Sequence, residues 1–151
     1  MIYADSSFIV AAYSADRHSP HAMAYVAAQK PKLPFTFLHW PEVAKSFWTN
    51  YSNPKPLWEI VQEDLADGIK LERHTVDAER TGRRAAGMIK GHCLKWPKLR
   101  SLDVMHVSAA VECQAKIFLS FDTRSFQRLL AHAQGLKVWP VLTAEETAHL
   151  D

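Results

Sequence analysis

Four carboxylates of this chain stand in similar contexts, and those contexts suit catalysis. Asp5 closes the apolar run Ile2-Tyr3-Ala4, and Asp122 directly follows the run Lys116–Phe121 (KIFLSF). Glu42, in HWPEV, and Asp103, in SLDVM, open segments with helical apolar spacing, which places both in first helical turns. In a parallel α/β sheet, the carboxyl ends of strands and the starts of helices share one rim. The four acids are therefore predicted to converge on one cleft. Close carboxylates repel by about 4 kcal/mol per pair at an effective dielectric of roughly 20, so such a cleft requires a cation. The donors would all be oxygen, with no His or Cys at ligand spacing beside them, which predicts Mg²⁺ or Mn²⁺ rather than Zn²⁺. Ions held this way serve phosphoryl chemistry by binding a phosphate oxygen, acidifying an attacking water and stabilising the departing oxyanion. Taken singly, each acid also reads as a helix cap or a dipole partner, stabilised by roughly 0.3–1 kcal/mol.

The elements that must position these acids alternate between strand and helix. A buried strand ending at Ala4 leads into a helix over Ser6–Ser14, capped by Ser6 or Ser7, with Phe8, Ile9, Ala12 and Tyr13 on one side. Ser19-Pro20 supplies a cap and a first-turn proline for a helix over His21–Gln29, and Leu33–Leu38 (LPFTFL) reads as a second strand. A helix opening at His39-Trp40-Pro41-Glu42 continues through Val43, Phe47, Trp48 and Tyr51. After the Ser52–Pro56 turn comes a helix over Leu57–Asp67, ended by Gly68, and a short strand over Ile69–Leu71. The spacing predicts a helix from about Val76 to Cys93, although Gly82, Gly87 and Gly91 each weaken it by up to about 1 kcal/mol. Ser101-Leu102-Asp103 caps a helix over Val104–Cys113, and the strand Lys116–Phe121 follows. Thr123 then caps a helix over Arg124–Ala133, closed by Gly135, and Leu136–Trp139 forms a last strand. This alternation predicts one domain over residues 1–151: an α/β fold with three layers, α/β/α, around a central, mainly parallel sheet of about five strands.

Composition narrows the function classes. At 151 residues, 48% hydrophobic and 23% charged, the chain is ordinary for one soluble domain, which argues against disorder. No apolar run approaches the roughly 20 residues that span a bilayer, and no secretory signal opens the chain, so a cytoplasmic protein without a membrane partner is expected. Cys93 and Cys113 read as reduced thiols. The net charge of +2 hides an uneven distribution: Arg80, Arg83, Arg84, Lys90, Lys95, Lys98 and Arg100 give that stretch +7, leaving −5 for the remainder. A local basic run on a nearly neutral chain suits a polyanion such as RNA, though it is also compatible with a solvated helix face. Phosphate loops, dinucleotide fingerprints and hydrolase elbows are all missing, and the adjacent His92 and Cys93 form too slight a pair for thiol catalysis.

The blocks YADSSFIVAAY, the Glu of LHWPEVAKSF, SLDVMHVSAA and LSFDTRSF resemble the four signature blocks of the PIN domain, in that family's order and spacing. The likeness is strongest to the small VapC-type ribonuclease toxins of bacterial toxin–antitoxin pairs. This resemblance implies a Rossmann-like PIN fold and a Mg²⁺- or Mn²⁺-dependent endoribonuclease. Its acids would be Asp5, Glu42, Asp103 and Asp122, with Asp5, Asp103 and Asp122 on the metal and Ser7 and Ser120 lining the pocket. His106 matches a His often found after the third acid, while Ser125 stands where many members carry a further acid. The seven basic residues from Arg80 to Arg100 would hold the RNA, and Trp96 or His92 would stack a base or fill core. Also implied are a homodimer and a cognate antitoxin, gripped by the helical hairpin that runs from Trp40 to Trp58. That hairpin holds five aromatic residues in 19 positions, so part of the cluster is expected at the surface. Two other functions fit the same residues: a PIN-type nuclease for housekeeping RNA processing or DNA, and a non-catalytic RNA-binding module.

Overall fold

Strand and helix alternate as the apolar periodicity requires, but every strand is short, three residues each. The computed structural model describes residues 1–151, which form two compact units: Ile2–Thr75, and Val76–Asp151 together with Met1. The chain is α/β, with eight helices and five strands. No helix is long and apolar enough to cross a membrane.

The N-terminal unit runs β1 (Ile2–Ala4), α1 (Ser6–Tyr13), α2 (Ser19–Gln29), β2 (Leu33–Phe35), α3 (His39–Asn50), α4 (Pro54–Asp67) and β3 (Leu71–Arg73). Phe8, Ile9, Val43, Phe47 and Val61 are fully buried. β2 and β3 pair in parallel, Leu33 opposite Leu71 and Phe35 opposite Arg73. Leu33 N–H donates to Lys70 O and His74 N–H donates to Phe35 O, so β2 bonds β3 through its first and last residues. The opposite edge of β2 is left to Pro34, which has no N–H to give. β2 and β3 form a two-stranded sheet of their own in place of the expected single five-stranded one, and Pro34 leaves the other edge of β2 short of a donor. β2 is also shorter than LPFTFL, because His39 N–H donates to Thr36 O and turns the chain into α3.

His39 holds this turn in place. It is fully buried; Thr36 N–H donates to its Nδ1 at 2.9 Å, so Nε2 carries the proton and donates to Ala4 O at 2.9 Å. One neutral imidazole thus ties the end of β1 to the start of α3. Elsewhere boundaries moved outward or slid. α2 begins at Ser19, whose hydroxyl accepts from Asp16 N–H rather than capping, and α4 begins at Pro54. Gly68 ends α4 with φ of 66°, a conformation open to glycine.

The C-terminal unit runs α5 (Ala78–His92), α6 (Ser101–Glu112), β4 (Ile117–Leu119), α7 (Gln127–Ala133), β5 (Lys137–Trp139) and α8 (Ala144–Thr147). α5 and α6 are clamped by Glu112, which accepts from Arg80 Nε and from Arg84 Nη1 at 2.8 Å, while Ser108 Oγ donates to Thr81 O at 2.7 Å. The three glycines of α5 face open space: a Cβ added at Gly82, Gly87 or Gly91 would meet nothing within 4 Å. β4 and β5 pair in parallel, Ile117 opposite Lys137 and Leu119 opposite Trp139. Asp122 overturns the expected cap at Thr123. Its Oδ1 accepts from Arg124 N–H at 2.9 Å, forming a turn that delays α7 to Gln127.

Arg128 anchors the end of this unit and is 2% exposed. Its Nε and Nη2 donate to Glu146, Nη1 to Ser120 O, and Nη2 to Pro140 O and Val141 O. Glu146 belongs to α8, whose start is a reciprocal capping box with Thr143. Neither α8 nor this ion pair was anticipated.

Candidate functional site

In the N-terminal unit, Asp5 itself caps α1: Phe8 N–H donates to its Oδ1 at 3.0 Å, and Ser7 Oγ donates to the same oxygen at 2.6 Å. The two serines, expected to cap, instead orient acids. Ser6 Oγ donates to Glu42 Oε2 at 2.8 Å, with Glu42 in the first turn of α3 as expected. Consecutive hydroxyls therefore hold two of the candidate acids.

In the C-terminal unit, Asp103 lies buried in the first turn of α6, and Asp122 stands three residues beyond β4. Arg100 joins the two. Its Nε donates to Asp103 Oδ2 at 2.7 Å, and its Nη2 donates to Asp122 Oδ2 at 3.1 Å. Ser125 Oγ donates to Asp122 Oδ2 at 2.9 Å, and Ser120 Oγ accepts from Asp122 N–H at 3.1 Å. Burial pushes the Asp103 carboxyl above the usual carboxylate range, and Arg100 only partly offsets this. Within either unit, no group of three or more His, Cys, Asp or Glu side chains forms a ready-made ion cage. Each unit instead supplies one pair of acids, supported by hydroxyls and in one case spanned by a guanidinium.

The chain matches no protein-family model and no curated protein.

The basic stretch is less available than its formal charge implies. Arg80 and Arg84 bind Glu112, Arg83 binds Glu79 at 2.6 Å, and Arg100 binds the two aspartates. Lys95 donates to Leu150 O at 2.7 Å and lies over the Trp96 ring. Lys90 and Lys98 belong to the same segment and remain candidates for phosphate contact. Trp96 is core: it is buried, donates Nε1–H to His149 O at 3.2 Å and stacks on His92 at 5.0 Å. His106 is buried within α6. Cys113 is buried, and burial with the neighbouring Glu112 pushes its thiol up to about 11, so it is an inert thiol at neutral pH.

The aromatic hairpin is only partly core. Phe47 is fully buried, but Trp48 is 54% exposed, and its ring meets Trp58 at 6.1 Å. Trp58 also contacts Trp40 at 5.8 Å, and Arg73 covers the Trp40 ring.

Two features that shape the site were missed. The basic stretch alone assigns Arg100 to phosphate, although its placement three residues before Asp103 on a helix start signals an ion pair. Apolar spacing makes His39 only a helix-opening residue. The clue to its role was its place beside a strand end, where buried backbone groups need partners.

Proposed function

We propose that this chain is a Mg²⁺- or Mn²⁺-dependent endoribonuclease of the PIN type, the toxin of a type II toxin–antitoxin pair. The observation that carries the reading is the guanidinium lying across Asp103 and Asp122. Two carboxylates held this close need positive charge between them, and the side chains that could ligate an ion there, Asp103, Asp122 and the supporting Ser125, all offer oxygen, which suits a hard divalent ion. When bound, that ion would polarise the scissile phosphate and acidify a water.

The remaining roles belong to the chain's own side chains. Asp103, Asp122 and Asp5 are the proposed ligands. Asp122 is fixed for this by Ser125 and the Arg124 amide, and Asp5 by Ser7 and the start of α1. Glu42, oriented through Oε2 by Ser6, takes the proton from the attacking water. Lys90, Lys95 and Lys98, with the arginines of the same stretch, hold the RNA backbone. The half-exposed Trp40–Trp58 hairpin supplies aromatic anchors for an antitoxin and for a second copy of the chain.

The test is cleavage of bulk single-stranded RNA by the purified chain with Mg²⁺ or Mn²⁺, lost with chelator. Asp5→Asn should abolish cleavage while α1 keeps its cap, since Asn caps nearly as well as Asp. A chelator-resistant activity, or an Asp5→Asn protein cutting at the wild-type rate, defeats the proposal.

A further inference from the structure

We propose that Arg100 is a resident counter-ion of the Asp103–Asp122 pair, which a divalent ion must displace, so that an arginine of the chain itself sets the apparent metal affinity. The inference rests on the metal-dependent reading given above. The two shortest contacts of Arg100 are to one oxygen of each carboxylate, Asp103 Oδ2 at 2.7 Å and Asp122 Oδ2 at 3.1 Å, with a looser approach of Nη2 to Asp103 Oδ1 at 3.4 Å. Asp103 and Asp122 are the residues that would hold a divalent ion here, and Arg100 already occupies an oxygen of each. A divalent ion held by the same two carboxylates would compete with the guanidinium for them, because two positive groups a few ångströms apart repel.

The arginine is also built to leave. Its side chain is 68% exposed, and its ion pairs are with these two carboxylates. It sits at the N-cap position of α6 on extended backbone, outside the helix proper. Arg128 makes the contrast: buried and bonded to four different residues, it has nowhere to go. The acids themselves stay in place without Arg100. Asp122 keeps its bonds from the Arg124 amide and Ser125 Oγ, and Asp103 keeps its place in the helix. A displaced guanidinium would remain tethered beside the carboxylates, where a phosphodiester would meet it.

Calorimetric titration of the full chain with Mn²⁺ tests this, comparing wild type with Arg100→Met and Arg100→Lys. Competition from an exposed ion pair of this kind predicts binding about three- to thirty-fold tighter in Arg100→Met. Arg100→Lys, which keeps the charge but not the fork, should fall between. The Mn²⁺-induced rise in thermal midpoint should follow the same order. If Arg100→Met binds Mn²⁺ as wild type does, or more weakly, Arg100 is not a competitor, and the metal reading stands without it. If neither wild type nor either variant takes up Mn²⁺, both fall. Should the Met variant not fold, unchanged affinity in Arg100→Lys overturns the proposal on its own.

Discussion

Replacing Arg128 by Met should be among the most damaging single changes in the C-terminal unit. The side chain is 2% exposed and makes five hydrogen bonds, two of them to Glu146. Methionine fills much of the volume but leaves Glu146 buried without its cation, supported by the Thr143 amide at 2.8 Å. It also strips a donor from the carbonyls of Ser120, Pro140 and Val141. Breaking a buried pair in this way costs about 3–5 kcal/mol. For a chain of this size that is a fall of roughly 6–20 °C in thermal midpoint. Glu146→Gln keeps the acceptor and should cost less, about 1–3 kcal/mol. The double variant Arg128→Met/Glu146→Leu removes both charges, so it should recover much of the loss. Urea unfolding of wild type, Arg128→Met, Glu146→Leu and the double variant, followed by tryptophan fluorescence and circular dichroism, gives all the corners of the cycle. A coupling energy below about 0.5 kcal/mol between the two sites would refute the view that Arg128 and Glu146 act as one buried unit.

Three further outcomes are expected. Burial raises the Asp103 carboxyl pKa in the folded state, so the folded chain holds that proton more tightly than the unfolded one; the ionised form therefore costs stability at neutral pH, and the cost fades as pH falls through the ordinary carboxylate range. Asp103→Asn should accordingly unfold later than wild type at pH 7, with the gap closing near pH 4, and a gap that widens on acidification would contradict this. Cys113 should resist iodoacetamide at pH 8 in the native chain, since a thiol with a pKa of about 11 is almost wholly protonated there. Rapid labelling of Cys113, read by peptide mass spectrometry, would show that burial does not protect it. Glu112→Gln should loosen Arg80 and Arg84 and steepen the dependence of RNA binding on salt by up to about two in log–log slope. An unchanged slope would mean these arginines do not reach phosphate.

The sequence revealed local placement better than pairing. Parallel strands, helix starts at Glu42 and Asp103, and the position of Asp5 after a strand all follow from apolar periodicity, which is a local property. Boundaries failed where a polar side chain competed with helix or strand. Asp122 drew the next amides into a turn and delayed α7, and Asp5, not a serine, took the cap of α1. The five-stranded sheet did not form, and one contributor is visible in the letters: Pro34 withholds an N–H from the free edge of β2. The partners of Arg100 and Arg128 were harder to foresee. Asp122 lies 22 residues from Arg100 and Glu146 lies 18 from Arg128, and no period in the sequence joins them.

The empty flanks of Gly82, Gly87 and Gly91 have a practical use. A helix with vacant space at three positions along nearly three turns is a ready mounting point for a probe. Gly87→Cys carrying a fluorophore would project from α5 without displacing a neighbour, in the stretch proposed to meet nucleic acid. The dye's polarisation would then report the arrival of RNA directly, independently of any cut made in it.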